Sequence, residues 1–153
     1  SKRIINNFIK MRDFETIKSE AIEHYSSLKE VYCPYFRENI HFNSKGINHI
    51  LRKSWNKVRG EKDQLMRFKN IKLAPVIISK SHTIQDILHT KRFERIRRNN
   101  RWDTILTNVS YYEFIAMIDN IRLKIIVKEI DFKDKFFWSI IPFWGKKISE
   151  END

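Results

Sequence analysis

One cysteine, Cys33, stands in a chain of 153 residues that also holds only 3 Gly and 3 Pro. A lone thiol makes no internal disulfide, and no zinc-ligand spacing can be built around it. Its neighbours Tyr32, Pro34 and Tyr35 place it at a buried or turn position with no activating group in view. So little Gly and Pro excludes collagen-like and low-complexity chains. No repeat and no linker divides the sequence, so one compact domain is expected. Long apolar runs are missing too: no stretch approaches the ~20 residues that a membrane helix needs. The opening Ser-Lys-Arg-Ile-Ile-Asn-Asn lacks the apolar core of a signal peptide. Ser1 is not an initiator residue, so the expectations include a longer parent chain that carries its address elsewhere.

Acidic residues are the other shortage. Asp and Glu number 19 against 30 Lys and Arg, giving a formal net charge of +11 and a pI near 9.8. Such an excess repels itself and favours an oppositely charged partner. The candidates are nucleic acid, an anionic membrane surface or an acidic inhibitor protein. A 13% aromatic content points to nucleic acid first, because bases stack on rings while phosphates seek cations. The 41% hydrophobic share is enough for a packed core.

Along the chain, helical patterns come first. Residues 1–12 read as a short helix, and Asp13 caps a second one that runs to about residue 32 before Pro34. Residues 35–43 read as an extended entry. Ser44 caps the next helix, expected to reach Val58 with Gly60 as its C-terminal glycine. Glu61–Ile78 reads as a further helix, kinked or split at Pro75. Residues 79–90 are ambiguous between loop, strand and short helix. The densest charge run follows, with Lys91, Arg92, Arg95, Arg97, Arg98 and Arg101. It reads either as a solvated helix or loop, or as a clamp in which Arg95, Arg97 and Arg98 hold a polyanionic backbone. After residue 103 the period falls to two. Strands are expected up to Ile118, then a tight turn at Asp119-Asn120, a strand from Ile121 with a cationic opposite side, a loop at 131–135, and a last strand from Phe136 to Pro142. The tail from Lys146 is polar. Helices followed by an antiparallel meander make an α+β domain, with N-terminal helices packed on a C-terminal sheet.

The stretch from His41 to Val58 draws attention. Ile47, Ile50, Leu51 and Val58 follow a buried helical stripe, while His49, Arg52, Lys53 and Asn56 share a polar one. An imidazole beside fixed cations suits phosphate chemistry, which needs a group titrating near neutrality and positive charge to hold the anion. The same stripe also reads as an ordinary charged helix face.

Several pieces in this order resemble the superfamily of barnase, the EndoU nucleases, the tRNA-cleaving colicins and the RelE toxins, and within it the phage-borne and polymorphic-toxin branches. These pieces are Gly46-Ile47-Asn48-His49-Ile50, then Arg67 ahead of Ala74-Pro75-Val76-Ile77-Ile78, then Tyr112-Glu113-Phe114 with Leu123–Val127, and last Phe137-Trp138-Ser139-Ile140-Ile141-Pro142. The resemblance covers residues 41–145. Residues 1–40 form a helical segment outside it, and 146–153 a tail. It implies a metal-independent, cofactor-free endoribonuclease acting on tRNA or another structured RNA. The ribose 2′-OH would attack the adjacent phosphate and leave a 2′,3′-cyclic phosphate. It implies His49 as acid/base, with Arg67, or Arg52 or Lys53, supporting the phosphate. Ser139 would bond a phosphate oxygen or the 2′-OH, and Lys124, on the cationic side of its strand, is a reserve substrate-binding cation. It also implies an acidic immunity protein as partner, and action in the cytoplasm, with delivery inside a larger toxin as one route.

Other assignments stay open. His41 is an alternative acid/base, and His82 and His89 flank the basic run. Trp138 alternates away from Ser139 in a regular strand, so both line one site only if a bulge intervenes; otherwise Trp138 is core. A rival reading is a non-catalytic nucleic-acid-binding module that works through residues 91–101. A third is a peripheral membrane binder using Phe143-Trp144-Gly145-Lys146-Lys147.

Overall fold

The computed structural model describes residues 2–54 and 56–142, leaving aside the side chains of 6–12. Helix α1 (Lys2–Leu28) is followed by a hairpin of β1 (Glu30–Cys33) and β2 (Glu38–His41). Next come α2 (Ser44–Leu51), a small hairpin of β3 (Arg52–Ser54) and β4 (Lys57–Val58), then α3 (Glu61–Asn70) and α4 (Leu73–Lys80). Four strands complete the order: β5 (Asp86–Arg98), β6 (Arg101–Ile118), β7 (Ile121–Ile130) and β8 (Phe136–Pro142). The fold is α+β, with N-terminal helices and a C-terminal antiparallel meander, as the sequence pattern predicts. The large sheet runs β1-β2-β8-β7-β6-β5. Its β2–β8 contact is parallel and confined to His41 opposite Phe136.

Several boundaries differ from the sequence expectation. The first two helices are one, and it stops at Leu28 rather than at residue 32. Lys29 turns the chain with φ 60°, and Val31 and Cys33 pair with β2 instead of extending a helix. Helix α2 stops at Leu51, not at Val58. Its N-cap is Asn43, whose side chain accepts from the Lys45 amide at 3.1 Å. Its last carbonyls are satisfied from a distance. The Arg59 amide donates to Leu51 O at 2.9 Å, and the Arg59 Nε donates to His49 O at 2.7 Å. Such outside donors end a helix as effectively as another turn would continue it. At Pro75 the outcome is a split: α3 and α4 are separate, and Pro75 sits in the first turn of α4, where its missing N–H costs nothing.

The largest core cluster draws on α1, α2, α3, α4 and on strands β1, β2, β6, β7 and β8. Tyr25, Cys33, Ile40, Ile50, Phe68, Ile77, Phe114, Ile125 and Phe137 all belong to it. Fully burying one ring such as Phe137 stabilises the fold by roughly 2–3 kcal/mol. A second cluster on the sheet gathers Val109, Tyr111, Ile126, Ile130 and Phe136, with Leu88, Ile96 and Trp138 packed against it. Between these clusters β7 is buried on both sides from Leu123 to Ile130. On the expected cationic side of this strand Lys124 and Lys128 are therefore buried, and Arg122 at its start is exposed. No helix among the described residues is long and apolar enough to cross a membrane.

The basic run is neither helix nor loop. It forms β5 and the start of β6, paired without interruption from Asp86–Glu113 to Arg98–Arg101. Asn99 and Asn100, with φ 49° and 63°, make the two-residue turn, and Asn tolerates this left-handed backbone better than most residues. Because β6 pairs β7 only from Val109 onward, the distal part of the hairpin extends past the end of β7 as a two-stranded ribbon.

Candidate active site

The site is built where α2, α3 and β8 meet. In β8 the register against β7 shifts between Ile126 and Val127: Val127 faces Phe137 and Ile126 faces Ser139, which leaves Trp138 as the extra residue. This is the bulge that lets neighbouring residues serve one site. Trp138 lies flat on the His49 ring, with centroids 3.9 Å apart and planes 16° apart. Ser139 accepts a hydrogen bond from Arg67 Nη1 at 2.5 Å.

Gly46 allows α2 to come this close to β8. A Cβ there would run into the Tyr25 hydroxyl and stand 2.5 Å from the Phe137 carbonyl oxygen. His49 then falls one turn further along, over β8.

Two arginines and one aspartate join the parts. Asp63 in α3 receives Arg67 Nε on Oδ1 at 2.8 Å and Arg59 Nη1 on Oδ2 at 3.2 Å. Arg59 also reaches His49, its Nη2 lying 3.1 Å from Nε2. Because a guanidinium only donates, Nε2 is the acceptor and the ring is neutral. The Gln64 side-chain amide donates to Arg59 O at 2.9 Å and fixes the segment that carries the arginine. The network therefore runs His49–Arg59–Asp63–Arg67–Ser139.

The electrostatics follow from burial. His49, Arg59 and Arg67 expose 4%, 4% and 6% of their surface, and Ser139 none. Burial, reinforced by Arg59, Arg67 and Lys128, lowers the His49 pKa to about 2. His49 also lies in the last turn of α2, where the helix dipole favours a cation by up to ~2 kcal/mol. Burial and the neighbouring cations act against it. Burial alone would raise the Asp63 pKa, but the hydrogen bonds and charges of Arg67 and Arg59 leave it below the usual carboxylate value. Lys128 covers the other face of the stack. Its Nζ sits 3.9 Å from the Trp138 ring centroid and 2.6 Å from Glu94 Oε1. Its pKa is lowered, because burial outweighs the Glu94 charge.

The structure brings together His49, Arg67 and Ser139, and it adds Arg59, which the sequence reading missed. A signal for it existed: Arg59, Asp63 and Arg67 recur every four residues. Other assignments are corrected. Arg52 and Lys53 share no helix face with His49, since they lie exposed in β3 after α2 has ended. Lys124 is fully buried, 3.8 Å from Glu113, and presents no charge to a substrate in this arrangement. Arg95, Arg97 and Arg98 stand on the ribbon, outside the network. Trp138 is partly core, packed on the second cluster, but it also stacks on His49, and its indole N–H has no acceptor among the described residues.

The remaining histidines lie elsewhere. His41 is held between Glu30 at 3.5 Å and Asp134 at 3.7 Å. His89 Nδ1 is 2.7 Å from Ser110 Oγ, and His82 is exposed between α4 and β5. Among the described residues no group of three or more His, Cys, Asp or Glu side chains could hold a metal ion. The segment Phe143–Lys147, proposed from sequence as a membrane contact, lies outside the described residues.

Comparison with family models, with curated proteins and with solved structures returns no match.

Proposed function

We propose that this protein is an endoribonuclease that cleaves RNA by attack of a ribose 2′-OH on the adjacent phosphate, which breaks the P–O5′ bond and leaves a 2′,3′-cyclic phosphate and a 5′-OH. One observation carries the reading: His49, Arg59, Arg67 and Ser139 converge at the Trp138 bulge, although Arg67 and Ser139 are 72 residues apart. An imidazole, two guanidiniums and a hydroxyl are the groups this reaction uses. Once Arg59 turns from His49 Nε2 to the phosphate, the neutral ring accepts the 2′-OH proton there and returns it to the departing 5′-oxygen. The arginines offset the charge that builds on the phosphorane. Ser139 and the Trp138 N–H are hydrogen-bond donors to phosphate or ribose oxygens.

A phosphate entering the site changes its electrostatics. Its negative charge opposes the Arg59, Arg67 and Lys128 charges that hold His49 neutral, so the His49 pKa rises toward the range useful for acid–base catalysis. Binding also requires an arginine to exchange the Asp63 carboxylate for phosphate. The basic surface fits tRNA or another structured RNA, read through shape and phosphates. A cell that makes such an enzyme needs an acidic inhibitor, which the net charge of +11 would attract.

The burial of His49, Arg67 and Ser139 favours a second reading, in which the cluster is structural and the protein binds nucleic acid through its ribbon without cutting it. Incubation with total tRNA in excess EDTA, followed by mapping of product ends, separates the two. Discrete fragments ending in 2′,3′-cyclic phosphate support the nuclease. RNA that shifts on a gel but stays intact supports the binding module.

A further inference from the structure

A cleft of about 350 Å³ opens between the ribbon, the loop after β7 and the start of α2. Its cations come from three separate parts of the chain: Lys45 at the start of α2, Arg95 and Arg97 on β5, and Lys133 in the loop. Its aromatic walls are Trp102 and Phe136. The Arg95 and Arg97 guanidiniums stand 5.3 and 5.9 Å from the Trp102 ring centroid. They brace an indole that remains 54% exposed. Lys45 Nζ is 5.3 Å from the Phe136 centroid.

Asp131 and Asp134 also line the cleft. A channel for phosphates alone would gain nothing from these carboxylates. A nucleobase would, because its amino and imino N–H groups need acceptors. The lining thus combines a ring for stacking, cations for flanking phosphates and acceptors for a base edge.

The cleft adjoins the candidate active site. Phe136 contacts Trp138 edge-on with centroids 6.1 Å apart, and Trp138 stacks on His49. We propose that this cleft is a subsite for one unpaired nucleotide of single-stranded RNA, with its base against Trp102 and its flanking phosphates on Arg95, Arg97, Lys45 and Lys133. The substrate class is then RNA with an accessible unpaired base, such as a loop or an end, rather than continuous duplex. A paired base cannot present its face to Trp102 without leaving the stack. The proposal rests on the RNA reading of the neighbouring site but not on cleavage.

The test measures binding of a fluorescent 2′-O-methyl RNA 12-mer, which 2′-OH attack cannot cleave, against its blunt duplex at one fixed salt. Wild-type protein is expected to bind the single strand at least fivefold more tightly. Trp102→Ala should weaken single-strand binding about tenfold, as loss of one stacked base does, and leave duplex binding within twofold. Trp102→Phe should restore most of the loss. Equal weakening of both RNAs, or no effect of Trp102→Ala, would overturn the proposal. So would equally tight, Trp102-independent binding of a polyglutamate chain, which would make the cleft a general polyanion surface. Because the probe cannot be cut, an inactive enzyme that still shows this pattern would sink the nuclease reading and leave the subsite standing.

Discussion

His49 and Trp138 lie ring on ring, 3.9 Å between centroids, one at the end of a short helix and the other at a strand bulge. The stack brings the candidate acid–base group to the strand that carries Ser139. It also keeps water from the imidazole and so explains why His49 stays neutral.

The His49 ring should not titrate in the free protein between pH 8 and pH 4. Its folded pKa, near 2, lies below the ordinary value of about 6.5. Between those values the unfolded chain binds the proton and the folded chain does not. The His49 contribution to stability is therefore complete above about pH 6.5 and shrinks as the pH falls, by roughly 1.4 kcal/mol per unit. Histidine NMR shifts and urea melts across this range check both statements. His49→Gln should remove this part of the slope.

Asp63→Ala should be among the more damaging single changes in α3. Asp63 bonds Arg59 and Arg67, both almost fully buried. Its loss removes the carboxylate that both buried arginines share, at a cost on the order of 3 kcal/mol. Urea denaturation measures this directly. A loss below about 1 kcal/mol would mean that the arginines find other partners.

Gly46→Ala tests the approach of α2 to β8. Alanine improves helix propensity by about 1 kcal/mol, but its methyl would press on the Phe137 carbonyl and the Tyr25 hydroxyl. Backbone cannot yield as a flexible side chain does, so overpacking of about 1–3 kcal/mol should win. The variant should melt at a lower temperature, and an unchanged or higher melting point would show that α2 stands further from β8.

The meander could be read from the sequence because period two and the Asp119-Asn120 turn are local signals. Both of these turn residues have positive φ. The basic hairpin was not legible, although Asn99-Asn100 is a turn signal of the same kind. Its charges masked the alternation, since Arg and Lys occupy both faces of β5. The end of α2 was hidden for a different reason. It depends on Arg59 and Gln64 reaching back to the helix carbonyls, and no periodicity within the helix reports that. Order and resemblance point to His49, Arg67 and Ser139, whereas the helical stripe of His49 with Arg52, Lys53 and Asn56 does not form, because α2 ends at Leu51. Whether Trp138 and Ser139 could share a site rested on a bulge that strand periodicity cannot locate.

Replacing Arg95, Arg97 and Arg98 by alanine should weaken RNA binding and flatten its salt dependence. At ~0.7 per phosphate contact on single strands, the log–log slope should fall by about 2. Titrations at several salt concentrations would show this. An unchanged slope would place the RNA elsewhere on the surface.

The proposed role of His49 in the chemistry is decided by single-turnover cleavage of a tRNA substrate by wild type and His49→Gln. Glutamine can still accept the Arg59 hydrogen bond, so the fold should persist, which circular dichroism can verify. The variant should cleave at least 100-fold more slowly, the usual scale for loss of an acid–base group, with RNA affinity within twofold of wild type. Cleavage by the folded variant at the wild-type rate would contradict that role.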